Sequence, residues 1–225
     1  MKKIILSAAI LITSLAGISQ IKEGKITYNV VGEGLPPEMA ASMDGTEQIV
    51  TFKGNKSRID IENAFLNMSI INDEKKVTVL TEQMGQKSYT EAKIEDVKKK
   101  EEENKATETQ AVIEYKDETK KIAGYDCKKA VIKSKDEKGE ENVTVVWHTD
   151  QLPYSGQGAA RGVNKFKGLK GAPLEYEAKF GPFNMKFTAT AVSKDPVADS
   201  KFVPNTDGYI KKSIDEIKKE ANSAK

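Results

Sequence analysis

The stretch "LEYEAKFGPFNMKFTATA", Leu174 to Ala191, decides how this chain folds. Leu174, Tyr176, Ala178 and Phe180 alternate with Glu175, Glu177 and Lys179. Beyond Gly181-Pro182 the alternation resumes with Phe183, Met185, Phe187, Ala189 and Ala191. A period of two with separate apolar and polar sets marks a strand with one dry and one wet face, as in an antiparallel sheet. Two residues between the runs leave room only for a tight hairpin, with glycine free to take positive φ at the first turn position.

Working outward, the same period recurs. "KITYNV" sets Ile26, Tyr28 and Val30 against Lys25, Thr27 and Asn29. "NVTVVWHT" reads with Val143, Val145 and Trp147 on the dry face and Asn142, Thr144 and His148 facing water. Further strands are expected at 49–53, 57–62, 68–72, 77–82, 87–90, 112–116 and 128–133, with Gly54-Asn55 and Asn72-Asp73 as turn signals. Regular short strands of this kind predict a long meander that curls into a barrel or half-barrel. Helix is expected at "PPEMAASM" (36–43) and as an amphipathic stripe of Ile210, Ile214 and Ile217 in "GYIKKSIDEIKKEA" (208–221), which should dock on the body. "IEDVKKKEEENK" (94–105) is polar on nearly every side and reads as a solvated helix or a connection. The Gly-rich segment Ser155–Gly171 is the expected mobile loop.

The chain opens "MKKIILSAAILITSLAGISQ". Two lysines precede an apolar core of signal-peptide length, and small residues follow at Gly17 and Ser19. The run is too short and too interrupted by Ser7, Thr13 and Ser14 for a membrane span of about 20 residues. Ile18 stands where a lipid-anchored precursor would need cysteine. Residues 1–20 therefore read as a signal peptide, and 21–225 as a single β-rich domain that is periplasmic or secreted, soluble, monomeric and at most peripheral to a membrane. Losing Lys2 and Lys3 takes the formal charge from +2 to zero. A neutral chain lacks the basic excess that displaces counterions from nucleic acid, so that partner class is excluded.

Reactive groups are sparse. Cys127, Trp147 and His148 are the only residues of their types. One cysteine cannot form an intrachain disulfide. Cys127 lacks a glycine-framed nucleophile motif and a positioned base, and reads as a packed thiol. One Cys and one His cannot build a zinc site, and "DEKGEE" (136–141) lacks calcium-loop spacing. No catalytic residue, metal ligand or cofactor is assigned, and the chain is read as a non-enzyme.

Several segments together carry a family resemblance. "FKGNKSRIDI", "MSIINDEKKVTVLTEQMGQKSY", "DETKKIAGYDCKKAVI", "VVWHTDQLP" and "FKGLKGAPLEY" resemble a family of exported Gram-negative envelope proteins described as a domain of unknown function. The likeness runs from about Gly24 to Tyr209. That pattern is in turn similar to the half-barrel of periplasmic lipoprotein-localisation carriers, which implies a curved antiparallel sheet around an apolar concavity, a short lid helix and a C-terminal amphipathic helix. The carriers fasten their lid with an arginine in an Arg-Pro context. "NKSRIDI" places Arg58 on an early strand without that context, so the role is not carried over.

The expectation is a binding module for a lipid, acyl chain or lipoprotein. Tyr28, Phe52, Tyr176 and Phe187 would line the concavity, and the Met39/Met43 helix and Ser155–Gly171 would cover it. The alternative is an envelope scaffold whose concavity is filled by its own side chains.

Overall fold

The computed structural model describes residues 21–105, 111–135, 141–152, 166, 168–180 and 183–223. The signal segment, the Gly181-Pro182 turn and most of Ser155–Gly171 lie outside them. The chain is mainly β, with strands β1 (Glu23–Glu33), β2 (Glu47–Lys53), β3 (Lys56–Glu62), β4 (Leu66–Asn72), β5 (Lys76–Gln83) and β6 (Gln86–Lys93) in the first half. The second half holds β7 (Val112–Ile122), β8 (Tyr125–Lys135), β9 (Glu141–Thr149), β10 (Ala172–Phe180), β11 (Phe183–Ser193) and the two-residue β12 (Ile210–Lys211). Helix α1 (Pro37–Met43) links β1 to β2, α2 (Ile94–Lys105) follows β6, and α3 (Ile214–Ser223) follows β12.

All twelve strands form one sheet in the order β12-β6-β5-β4-β3-β2-β1-β11-β10-β9-β8-β7. In place of the expected single long meander there are two antiparallel meanders, β1–β6 and β7–β11, joined where β1 pairs with β11; only β12 pairs parallel, with β6. β12 and β7 are the two ends of the order, so the sheet does not close into a barrel. Each strand of the sequence reading is present and most extend by a few residues, because ladder pairing continues past the point where apolar alternation stops.

Register fixes which side chains share a face. On what we call the front face, Tyr28, Gln48, Ile61, Met68, Thr81 and Ser88 form one transverse row from β1 to β6. Ile26, Val50, Ile59, Ile70, Val79 and Thr90 form the next. In the other direction Val30, Phe187, Tyr176, Val146, Ala130 and Tyr115 continue the face from β1 to β7. The main buried cluster lies around Ile26, Tyr28, Val50, Leu174 and Ala189.

The back face of β3–β6 is covered by the chain after β11. Phe202, in a short 3-10 turn (Asp199–Phe202), is buried with Ile71 and Leu80, and Val197, Tyr89 and Tyr209 pack around them. Arg58 fastens this cover. Its Nε donates to both oxygens of Asp60 at 2.8 Å, Nη2 to Ser69 Oγ at 3.2 Å and Nη1 to the Lys201 carbonyl at 3.3 Å.

Three expectations are corrected here. In β9 the faces are exchanged: Val146 and His148 are buried, whereas Val143 is exposed and Trp147 only half-buried. Ile210 belongs to β12 rather than to a helix, and its side chain is exposed. Helix α3 has an exposed Ile217 and no buried residue among those described, so the expected docking of an isoleucine stripe is not found. The parallel ladder captures Ile210 and Lys211 as strand, and the helix begins only after Ser213, whose hydroxyl and backbone N–H both donate to Glu216 at 2.7 Å in a capping box.

Candidate functional site

The front face brings three of the six sequence-chosen residues together. Tyr28 is fully buried and its hydroxyl donates to the Pro173 carbonyl at 2.8 Å. Its ring meets Tyr176 edge-on at 5.9 Å, and Tyr176 stacks on Phe187 at 4.7 Å with 10° between planes. Such geometries suit the aromatic quadrupole. Gln48 Nε2 donates to the Tyr176 hydroxyl at 3.0 Å. Burial raises that phenol's pKa far above its ordinary value, so it is neutral at any physiological pH. Phe166 closes the group edge-on at 4.8 Å from Tyr176.

The other three chosen residues lie apart. Phe52 is half-buried near the opposite end of β2, beside Gly24. A Cβ at Gly24 would stand 2.6 Å from the Ser193 carbonyl and 3.1 Å from the Phe52 ring, so the glycine lets β1, β11 and that ring approach closely. Met39 is exposed on α1. Met43, half-buried, accepts a hydrogen bond at its Sδ from Asn63 Nδ2 at 3.8 Å. α1 thus rests beside the β3–β4 turn at the edge of the face.

Between these groups the face changes character. Around β1, β10 and β11 it is packed solid by its own aromatics. On β3–β5, Ile61, Met68, Ile70 and Val79 are only half-buried, although they stand in the same rows. Toward β6 the rows end in Thr81, Ser88 and Thr90. Under α1 lies an open cleft of about 160 Å³, lined by Val30, Gly32, Leu35, Ala40, Met43 and Gly45. Pockets that enclose a drug-sized ligand measure roughly 300–1,000 Å³. The cleft alone is too small for a long acyl chain.

The rare residues form no reactive pair. Cys127 is buried in the main cluster, and burial pushes its thiol up to about 11, so it stays protonated at neutral pH. Its neighbour Lys128 is the residue opposite His148. Successive strand residues point to opposite faces, so thiol and imidazole are on different sides of the sheet. His148 is a correction in its own right: expected in water, it is 3% exposed. Its Nδ1 lies 2.6 Å from the Lys170 carbonyl. A carbonyl can only accept, so Nδ1 carries the proton and Nε2 is left as a buried acceptor with no partner among the described residues. Burial lowers the imidazole's pKa below its usual value, against a smaller opposing effect of the Lys170 carbonyl. Trp147, on the back face, has Lys120 Nζ 4.3 Å from its ring centre, and Lys120 also pairs with Glu175 at 2.7 Å.

Among the described residues no group of three His, Cys, Asp or Glu side chains is placed to hold a metal ion. No described helix is long and apolar enough to cross a membrane. Sequence reasoning missed Gln48, Phe166 and Lys170. Gln48 breaks no visible pattern in "EQIVTFK", and the other two reach the site from a Gly-rich segment without periodicity.

A family model described as a domain of unknown function, DUF4412, matches residues 33–200 of the chain. No curated protein matches it.

Proposed function

The chain belongs to the DUF4412 family, and with that as premise we propose that it is a non-enzymatic periplasmic module that binds a lipid or other hydrophobic ligand on the front face of its sheet. The observation that carries this reading is the half-buried strip of Ile61, Met68, Ile70 and Val79, in register with a rigid aromatic floor and beside a small helix with no buried residue. In this reading the sheet curves as the half-barrel of lipoprotein-localisation carriers does, the strip is the open wall, and α1 is the lid.

The energetics limit how the ligand sits. Burying one methylene is worth about 0.8 kcal/mol. A chain lying on an open strip buries about half its surface, so sixteen carbons would gain roughly 6 kcal/mol before ordering and association costs. Useful affinity therefore requires α1 to close over the ligand, bringing Met39 and Met43 onto it.

The rival reading, a scaffold with a filled core and no ligand, draws its support from the packing of Tyr28, Tyr176, Phe187 and Phe166 against one another. Delipidated protein titrated with a fluorescent fatty acid separates the two. Saturable uptake is expected, and Met68→Gln or Met39→Asp should each weaken it by about tenfold or more, equivalent to about 1.4 kcal/mol, with the melting temperature little changed. Absence of uptake would leave the scaffold reading standing.

A further inference from the structure

The two rows of strand ends differ in a way that the front-face reading does not use. At one end lie the connections that contain α1, the β3–β4 turn and the β5–β6 turn. At the other lie the turns at Gly54-Asn55, Asp73–Lys75 and Ala123-Gly124. The second set is polar or small. The first set presents Met39 on α1, Phe65 at 52% exposure and Met84 at 85%, with Val31 exposed where β1 runs toward α1. Leu66 pairs with Gln83, so Phe65 and Met84 stand at neighbouring turn tips. The β3–β4 turn is tied to α1 through Asn63, which accepts from the Phe65 and Leu66 backbone N–H groups and donates to Met43.

Met84 is a poor choice for its own turn. Met84 and Gly85 both have positive φ, 51° and 79°, the type I′ geometry in which asparagine precedes glycine most comfortably. A long apolar side chain in the left-handed region, held out in water, serves neither the turn nor the core.

Around α1 and the β3–β4 turn the charge is acidic, while the two lysines near the rim are already engaged: Lys87, close to Met84, pairs with Glu82 at 3.5 Å, and Lys186, opposite Val31, pairs with Glu175 at 3.6 Å. No basic residue occurs between Lys25 and Lys53, or between Arg58 and Lys75. Glu33, Glu38, Asp44, Glu47 and Glu62 fall within those spans toward this end, and none has an ion pair among the described residues. Glu47 and Glu62 are directly opposed in the β2–β3 register. Side chains so placed have Cβ atoms about 4.5–5.5 Å apart, and like charges there repel.

We propose that this rim is the docking surface for a cationic amphipathic polypeptide segment, whose apolar side chains seat on Phe65, Met84 and Met39 while its Lys or Arg residues relieve the Glu47–Glu62 pair. The partner is a protein segment, because the same carboxylates would repel the anionic surface of a bilayer. The surface shares Met39 of α1 with the proposed lipid lid, but Phe65, Met84, Glu47 and Glu62 lie at the strand ends outside the Ile61–Val79 strip, so variants at those four positions test it separately from fatty-acid uptake.

The test uses two labelled synthetic helices, one of Leu, Ala and Lys and one of Leu, Ala and Glu, followed by fluorescence anisotropy. The lysine peptide should bind the full chain, and the glutamate peptide should bind at least about tenfold more weakly. Binding of the lysine peptide should fall by a similar factor in Phe65→Ser/Met84→Asn, where the charge is unchanged, and in Glu47→Gln/Glu62→Gln. Met84→Asn and the glutamine pair should keep or raise the melting temperature, because each relieves a local conflict, so lost binding cannot be put down to misfolding. Equal binding of both peptides, no binding of either, or binding unaffected by Phe65→Ser/Met84→Asn overturns the proposal. Preferential capture by vesicles of anionic phospholipid would also overturn it and assign the rim to a membrane.

Discussion

His148 tests the exchanged faces of β9 most directly. His148→Ala removes the hydrogen bond to the Lys170 carbonyl, worth about 1 kcal/mol net, and the edge-on contact with Tyr115 at 5.3 Å, worth roughly 0.5–1.5 kcal/mol. It also leaves a void in a site that is almost fully enclosed. Against this, it removes the bare Nε2, whose desolvation costs about 1–3 kcal/mol. The quantified losses and the gain roughly cancel, so the void decides the outcome: large-to-small core changes cost about 2–5 kcal/mol, and a net destabilisation of about 2–3 kcal/mol is expected, or roughly 4–12 °C in melting temperature for a chain of this size. His148→Phe refills the void and removes Nε2, so its cost should stay below about 1 kcal/mol. Acid supplies a second readout. The folded-state pKa of His148 is lowered, so the unfolded chain takes up the proton first. The stability contributed by the neutral ring is complete above the unfolded value of about 6.5 and is lost as pH falls from there through the folded pKa. Asp150, Lys128 and Lys170 surround the ring, and their charges partly cancel. Because the chain has a single histidine, any change between about pH 7.5 and 5.5 reports on it. Urea titrations across that window should show the wild type weakening and His148→Phe holding steady. If His148→Ala costs no more than the exposed-site change Val143→Ala, or if both proteins share one pH profile, the buried assignment is wrong.

Native Cys127 should react slowly with a thiol reagent at about pH 8 and rapidly in urea, since its pKa is pushed up to about 11; Cys127→Ser should cost roughly 1–3 kcal/mol, the scale for burying a poorly paired hydroxyl. Trp147→Ala should cost roughly 1–2 kcal/mol in urea unfolding, less than the 3–5 kcal/mol of a core aromatic, because one side of the ring meets only lysine stems and water. Gly171→Ala should cost roughly 3 kcal/mol or more, beyond the ordinary range, as judged by thermal melting: φ is +76° and the added Cβ would lie 1.9 Å from the Thr149 carbonyl.

Much of the front-face site was legible before any coordinates. Tyr28, Tyr176 and Phe187 each sit in a clean alternation, and antiparallel pairing then brings same-face aromatics on adjacent strands together. Their role is where the reading shifts. A period of two identifies a dry face but not whether neighbouring side chains fill it or leave it open, and here Phe166 and Gln48 fill one half. The half-open strip was less visible because Ile61, Met68, Ile70 and Val79 look like ordinary core residues in sequence.

Local pattern is enough to place the strands and the hairpins between consecutive strands, because those depend on alternation, glycine at positive φ and the short distance between runs; the β1–β11 pairing that joins the two meanders is long-range and has no such local signal. Which face of β9 is buried is settled by packing across the sheet. Val143, Val145 and Trp147 outweigh Val146 in any local count, yet Val146 packs beside its cross-strand neighbour Tyr176 and His148 meets the Tyr115 ring edge-on, while lysine side chains lie over the tryptophan. The same holds for Ile210, which local pattern assigns to a helix and the edge of β6 draws into a parallel pair. Burial in β9 depends on Tyr115, Lys170 and Tyr176 from other segments, and the pairing of Ile210 on Ser88 from the far side of the chain, and no period within a strand can encode what will cover it.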